Sequence, residues 1–296
     1  MSVGVYAKWQ NTHMLLFSIA TCAALMPLYF LIKDISSQVL FLLINVALLG
    51  ICHGSLDHKK FILAGTKLSR LKAFGIFAIG YLCLVCLILY AWLHDPSVTL
   101  ISFLIISYIH FSMSESENLS NLDKIIWGGV PIFSPCFLHE RKVNELFSVL
   151  TGSTISFCDP IACALQVIGF LFFALACVAT LIGIFVALEQ KNKGKLLNQI
   201  ANAVFIIVYI VLSPLLSFAL YFCWWHSLRE CLRMIADFKP TNFLQGLQEF
   251  LKNIAPLTIG SWFIGMLIFF WLRNQGQNVE DRQIATIFFL LSSLTV

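Results

Sequence analysis

Residues 46–58 read VALLGICHGSLDH. The apolar run ends on three titratable side chains, His53, Asp57 and His58. An apolar run this short could belong to a buried strand or to a helix, and the residues before it decide. No Asp, Glu, Lys or Arg occurs from 35 to 56. At about 1.5 Å of rise per residue, the stretch 36–53 covers roughly the hydrocarbon core of a bilayer as a helix. The segment therefore reads as a membrane-spanning helix, with ionisable groups gathered at its exit.

The rest of the chain agrees with that reading. Of 296 residues, 59% are hydrophobic and 11% are charged, with a mean hydropathy of +0.87. A soluble domain carries about 25% charged residues. The sequence predicts an all-α, polytopic transmembrane helical bundle of about 8–10 spans, folded as one domain over residues 1–296. Spans are expected near 13–32, 36–53, 71–93, 97–113, 125–138, 160–188, 198–213, 214–227, 254–272 and 283–296. The 125–138 stretch, IIWGGVPIFSPCFL, is short and carries Gly128, Gly129, Pro131 and Pro135, so a broken or re-entrant segment is expected there. Residues 198–227 exceed one bilayer crossing, and Pro214 divides them into two short helices.

Charge places the ends. With the sides alternating, Lys33, Arg141, Lys142, Arg273 and Arg282 fall on one side, and most of the 19 Lys and Arg residues fall on the side of the N-terminus. By the positive-inside bias the N-terminus is cytoplasmic, in a multi-pass protein of the cell membrane. The net charge of +4 is small and scattered, which argues against a nucleic-acid partner. The 10 Cys lie mostly in apolar spans, where thiols behave as small hydrophobes. Cys83 and Cys86 form a CxxC without the surroundings of a redox motif. The start, MSVGVYAKWQNTH, has no small-residue cleavage site of a signal peptide.

Three polar clusters stand at one depth. The first is His53, Asp57 and His58. The second is SYIHFSMSESE, with His110, Glu115 and Glu117, and the third is YFCWWHSLRE, with His226, Arg229 and Glu230. In the expected layout each lies at the cytoplasmic end of a different helix, the arrangement from which metal centres are built inside bundles. His226 and Glu230, like His53 and Asp57, are one helical turn apart and share a face. Such a carboxylate can bind the same metal as the imidazole or can orient it. Three imidazoles with an oxygen donor suit iron or zinc better than magnesium or calcium. A single His at a helix end is ordinarily an interface or capping residue, and that reading suits His13, His94 and His139. Three ionisable clusters at membrane depth are costly enough to suggest function.

HGSLDH, YIHFSMSE and YFCWWHSLRE resemble the three signature stretches of the Brp/Blh membrane proteins, β-carotene 15,15′-dioxygenases of bacteria and archaea. The resemblance runs from about residue 50 to 235. It implies a non-haem Fe(II) centre that cleaves the central double bond of a carotenoid with dioxygen to give two retinals, with a microbial rhodopsin as a retinal acceptor. By motif, His53, His110 and His226 are ligands, and the fourth family histidine falls on Glu230. The family Gly and Asp of the second motif are here Ser112 and Glu115. Asp57, His58 and Glu115 are then expected to orient the ligands. Tyr221, Phe222, Trp224 and Trp225 are expected to line a polyene channel.

Two other classes compete. A di-iron desaturase or hydroxylase needs many more histidines than the 7 present, none of them adjacent. A non-catalytic carotenoid-binding or transport protein fits the helix breaks but lacks a matching pair of breaks in two halves.

Overall fold

The computed structural model describes residues 2–55, 69–115, 119–151, 160–238 and 242–274, and every regular element among them is a helix. In chain order these are α1 (Ser2–Leu31), α2 (Ile35–Asn45), α3 (Ile51–Gly54), α4 (Arg70–His94), α5 (Pro96–Ser114) and α6 (Asn121–Leu138). There follow α7 (Glu140–Thr151), α8 (Pro160–Glu189), α9 (Lys193–Val211), α10 (Pro214–Ala219), α11 (Leu228–Asp237) and α12 (Phe243–Asn274). Two π-helical segments interrupt this pattern. Val46–Gly50 (π1) joins α2 to α3, and Leu220–Ser227 (π2) joins α10 to α11. Among the described residues, seven stretches are long and apolar enough to cross a membrane, from Lys8–Leu31 to Phe243–Leu267. The chain is an all-α polytopic bundle. The span expected near 283–296 lies outside the described residues.

Polar caps set the turns between crossings. Asp34 accepts from Ser37 N at 2.8 Å, Asp95 from Val98 N at 3.0 Å, and Asn192 from Lys195 N at 3.1 Å. Ser120 accepts from Asp123 N and donates to the Asp123 carboxylate. Each cap satisfies an amide that the first helical turn leaves without a partner. The expected division at Pro214 is present: α9 stops at Val211, and Pro214 opens α10 behind extended Ser213. His139 Nε2 donates to the Tyr209 carbonyl at 2.7 Å, capping one of the last carbonyls of α9.

The 125–138 segment departs from expectation. It is short but forms one continuous helix despite Pro131 and Pro135. All residues from Ile126 to Cys136 are buried, so α6 is a central post surrounded by protein. A helix buried on every side can carry proline, because packed neighbours shield the carbonyls it frees. The glycines serve close approach and do not break the helix. A Cβ on Gly128 would lie 2.6 Å from the Cα of Ser112 on α5, and one on Gly129 would lie 2.2 Å from the Phe172 ring on α8. Across that second contact, a Cβ on Gly169 of α8 would strike the Phe133 carbonyl at 2.3 Å. α6 therefore holds α5 at close range, and α5 carries His110.

Candidate metal centre

His53 sits on α3, one turn after π1. His110 sits near the end of α5, and His226 lies within π2. The three come from distant parts of the chain to the same end of the bundle as the N-terminus. One ring nitrogen from each falls in a group whose members all lie within 4.8 Å of one another. Ring centroids are 5.4 Å apart for His53–His226, 5.3 Å for His110–His226 and 6.4 Å for His53–His110. His53 and His226 are buried, and His110 is partly so.

Local structure fixes where the lone pairs point. His53 Nδ1 lies 2.6 Å from the Gly50 carbonyl. A carbonyl only accepts, so Nδ1 carries the proton and Nε2 keeps its lone pair for a metal. His226 Nδ1 faces Ser114 Oγ at 3.5 Å, while its Nε2 is buried with no hydrogen-bond partner among the described residues. An orphaned buried nitrogen is costly, and a cation among three imidazoles would satisfy it. The donor set is the one that suits iron or zinc.

The surroundings are aromatic. Phe222 stacks on the His226 ring at 6.0 Å and 13°, and Tyr221 lies nearly parallel to it at 6.4 Å. Phe111 meets the same ring edge-on at 4.9 Å. Gly50 makes this packing possible, because a Cβ there would lie 3.0 Å from Phe222 Cε1. The two π segments thus meet beside the histidines. Wider π turns re-aim side chains relative to an α-helix and recur at functional sites.

Glu115 ends α5 and reaches across to α11. Its Oε2 accepts from Arg229 Nη1 at 3.1 Å with both side chains buried, and its Oε1 accepts from Tyr221 Oη at 3.5 Å. Arg229 also lies over the Trp225 ring at 5.0 Å. This bridge joins the helix ends that carry His110 and His226.

The other expected site residues are placed as follows. Glu230 is outside the three-histidine group, and its Oε2 pairs with Arg233 at 3.0 Å. The junction from π2 to α11 lies between His226 and Glu230, so their sequence spacing does not translate into the shared face of a regular α-helix. Asp57, His58 and Glu117 lie outside the described residues. Tyr221, Phe222 and Trp225 are buried, whereas Trp224 is 44% exposed and donates to Asn45 Oδ1 at 2.8 Å. His13 is not in the group: its Nε2 donates to the Trp224 carbonyl at 2.9 Å and ties α1 to π2. Two features escaped the sequence reading, the π segments and Arg229 as the partner of Glu115.

The comparisons with known proteins fit this geometry. The sequence model of one family, described as β-carotene 15,15′-dioxygenase, matches residues 44–296. A β-carotene 15,15′-dioxygenase of an uncultured marine bacterium, 66A03, is 28% identical over 261 residues, covering 85% of this chain and 88% of the relative. A probable β-carotene 15,15′-dioxygenase, Blh, of Halobacterium salinarum is 21% identical over 267 residues, covering 81% and 76%. No solved structure matches. All three clustered histidines fall inside the matched region, and with that match the chain belongs to the β-carotene 15,15′-dioxygenase family.

Proposed function

We propose that this chain cleaves the central 15,15′ double bond of β-carotene with dioxygen, giving two retinals, at an iron held by His53, His110 and His226. The observation that carries the reading is the convergence of three imidazoles within 4.8 Å, inside a chain matched to this family over residues 44–296. Ferrous iron bound there would supply activation of dioxygen, leaving positions open beside three protein donors. The relatives' names are the ground for assigning β-carotene as substrate.

The protein's part is orientation and exclusion of water. Gly50 holds the His53 tautomer through its carbonyl. Phe111, Phe222 and Tyr221 clamp the His226 ring and line its flank with carbon. Glu115 and Arg229 hold the ends of α5 and α11 together. The atoms balance without a proton donor: one alkene and one dioxygen contain every atom of two aldehydes. Glu115 therefore has a positioning role, and Glu230 stays with Arg233 in the resting centre. Asp57 and His58, four and five residues beyond His53, are proposed as further orienting groups.

The Lys-rich end that carries the site is proposed to face the cytoplasm of the cell membrane, with the whole chain as one domain. Carotene would enter from the bilayer, and retinal would leave to a membrane acceptor such as a microbial rhodopsin. The test is direct. Purified protein loaded with Fe(II) and supplied with β-carotene and air forms retinal in a 2:1 ratio to carotene consumed, whereas the His226→Ala protein forms none. Carotene that binds but is not consumed would overturn the reading.

A further inference from the structure

At the end of the bundle away from the histidines lies a cavity of about 230 Å³. Its walls come from α2 between Ile35 and Leu43, the first half of α5, the second half of α6, and α10 from Pro214 to Phe218. Its roof is α7, which turns Val143, Leu146, Phe147 and Leu150 inward and carries Arg141, Lys142 and Glu145 along its other side. Among the described residues no charged side chain lines the cavity, and Ser36 supplies the one side-chain hydroxyl. Leu40, another lining residue, is 58% exposed, so the cavity meets the apolar outer surface of the bundle.

We infer that this cavity is a binding site for one apolar end ring of the carotenoid, seated while the central double bond lies at the three histidines. The inference rests on the cleavage reading above and adds a location for one end of the substrate. Three observations carry it.

The first is depth. Leu104 and Leu100 line the cavity six and ten residues before His110 on α5. At 1.5 Å per residue they stand roughly 9 and 15 Å along the helix from the histidine. A substrate cut at its middle must place each end ring well away from the centre, and the cavity lies in that direction.

The second is continuity. Phe218 lines the cavity and stacks on Phe222 at 5.5 Å and 8°, and Phe222 stacks in turn on His226. A line of stacked aromatic rings therefore runs from cavity to centre.

The third is size and chemistry. Pockets for whole drug-sized ligands measure about 300–1,000 Å³. This cavity is smaller, so it suits an end group and not a whole carotenoid. A lining whose described residues are almost wholly apolar, with Ser36 as the one hydroxyl, favours a hydrocarbon ring, because a buried unpaired hydroxyl is costly. A lipid acyl chain shares that chemistry, and the experiment separates the two.

The experiment measures binding without turnover. β-Carotene, or a β-apocarotenal shortened at one end so that it keeps a single ring, is titrated into metal-free full-length protein in lipid nanodiscs. Binding is read from the shifted absorption and induced circular dichroism of the polyene. Val143→Phe fills the cavity from the roof and Leu100→Phe from the wall, so that one carries the test if the other fails to fold. Each is expected to lower the preference for β-carotene over the one-ringed apocarotenal at least tenfold, while iron added later binds as in the unsubstituted protein. An unchanged preference in a folded variant would overturn the inference and leave the cavity to lipid chains. A shifted preference in a protein that forms no retinal would uphold the ring site and remove the cleavage reading. Retinal formation with no shift would do the reverse.

Discussion

Replacing Glu115 with Gln removes the charge that faces Arg229 across 3.1 Å while nearly keeping the shape of the side chain. Both side chains are at least nine-tenths buried, at 7% and 9% exposure, so neither charge is well hydrated. Removing one partner of a buried pair typically costs about 3–5 kcal/mol, because the other charge stays behind in a poor solvent. The contact of Arg229 with the Trp225 ring offsets part of this, by about 1–2 kcal/mol. A loss near 3 kcal/mol is therefore expected for Glu115→Gln, roughly a hundredfold or more in the folded population. Arg229→Gln should cost a similar amount. The double variant should cost less than the sum, with a coupling of about 2 kcal/mol. The assay is denaturant unfolding in detergent, followed by tryptophan fluorescence. Lys252–Glu249 is the internal control, a 3.4 Å pair with side chains 73% and 48% exposed. Its removal should change stability by less than about 1 kcal/mol. Because the buried bridge ties the helix ends carrying His110 and His226, iron affinity should also fall about 10- to 100-fold. Single variants that each cost less than about 1 kcal/mol, with additive effects and unchanged iron affinity, would refute the reasoning.

Three further outcomes follow. His53→Ala, His110→Ala and His226→Ala should each lower iron per chain in metal analysis, and a variant that keeps full loading would remove that residue from the ligand set. Glu230→Gln should leave iron loading within about twofold, because the carboxylate is engaged with Arg233 at 3.0 Å, and a loss of tenfold or more, the usual scale for a lost partner of the centre, would make it a ligand. Gly128→Ala should destabilise the bundle by about 1–3 kcal/mol in the same unfolding assay, since its Cβ would meet the Ser112 backbone at 2.5 Å, and a neutral effect would mean that α5 and α6 separate easily.

Much of this was legible because membranes simplify the code. Long apolar runs show the crossings, and Pro214 with Ser213 marked a division that the structure contains. The convergence of His53, His110 and His226 followed from depth alone, since residues at one level of a bundle have few places to go. Other features depend on contacts that no local pattern carries. Gly128 and Gly129 punctuate a chain in water, but in α6 they sit where α5 and α8 press closest. The π segments differ from α-helix in their hydrogen bonding and not in composition, so the facing of Glu230 could not be read from its spacing to His226. Glu115 and Arg229 lie 114 residues apart, and nothing local couples them.

The central claim is that three histidines from three helices hold one iron that cleaves carotene. The most direct test measures iron per chain and retinal per carotene on the same purified sample, for the unsubstituted protein and for His226→Ala. The account predicts one iron and two retinals for the first, and neither for the second. Retinal formation by His226→Ala, or an unsubstituted protein that holds no iron yet forms retinal, would contradict it.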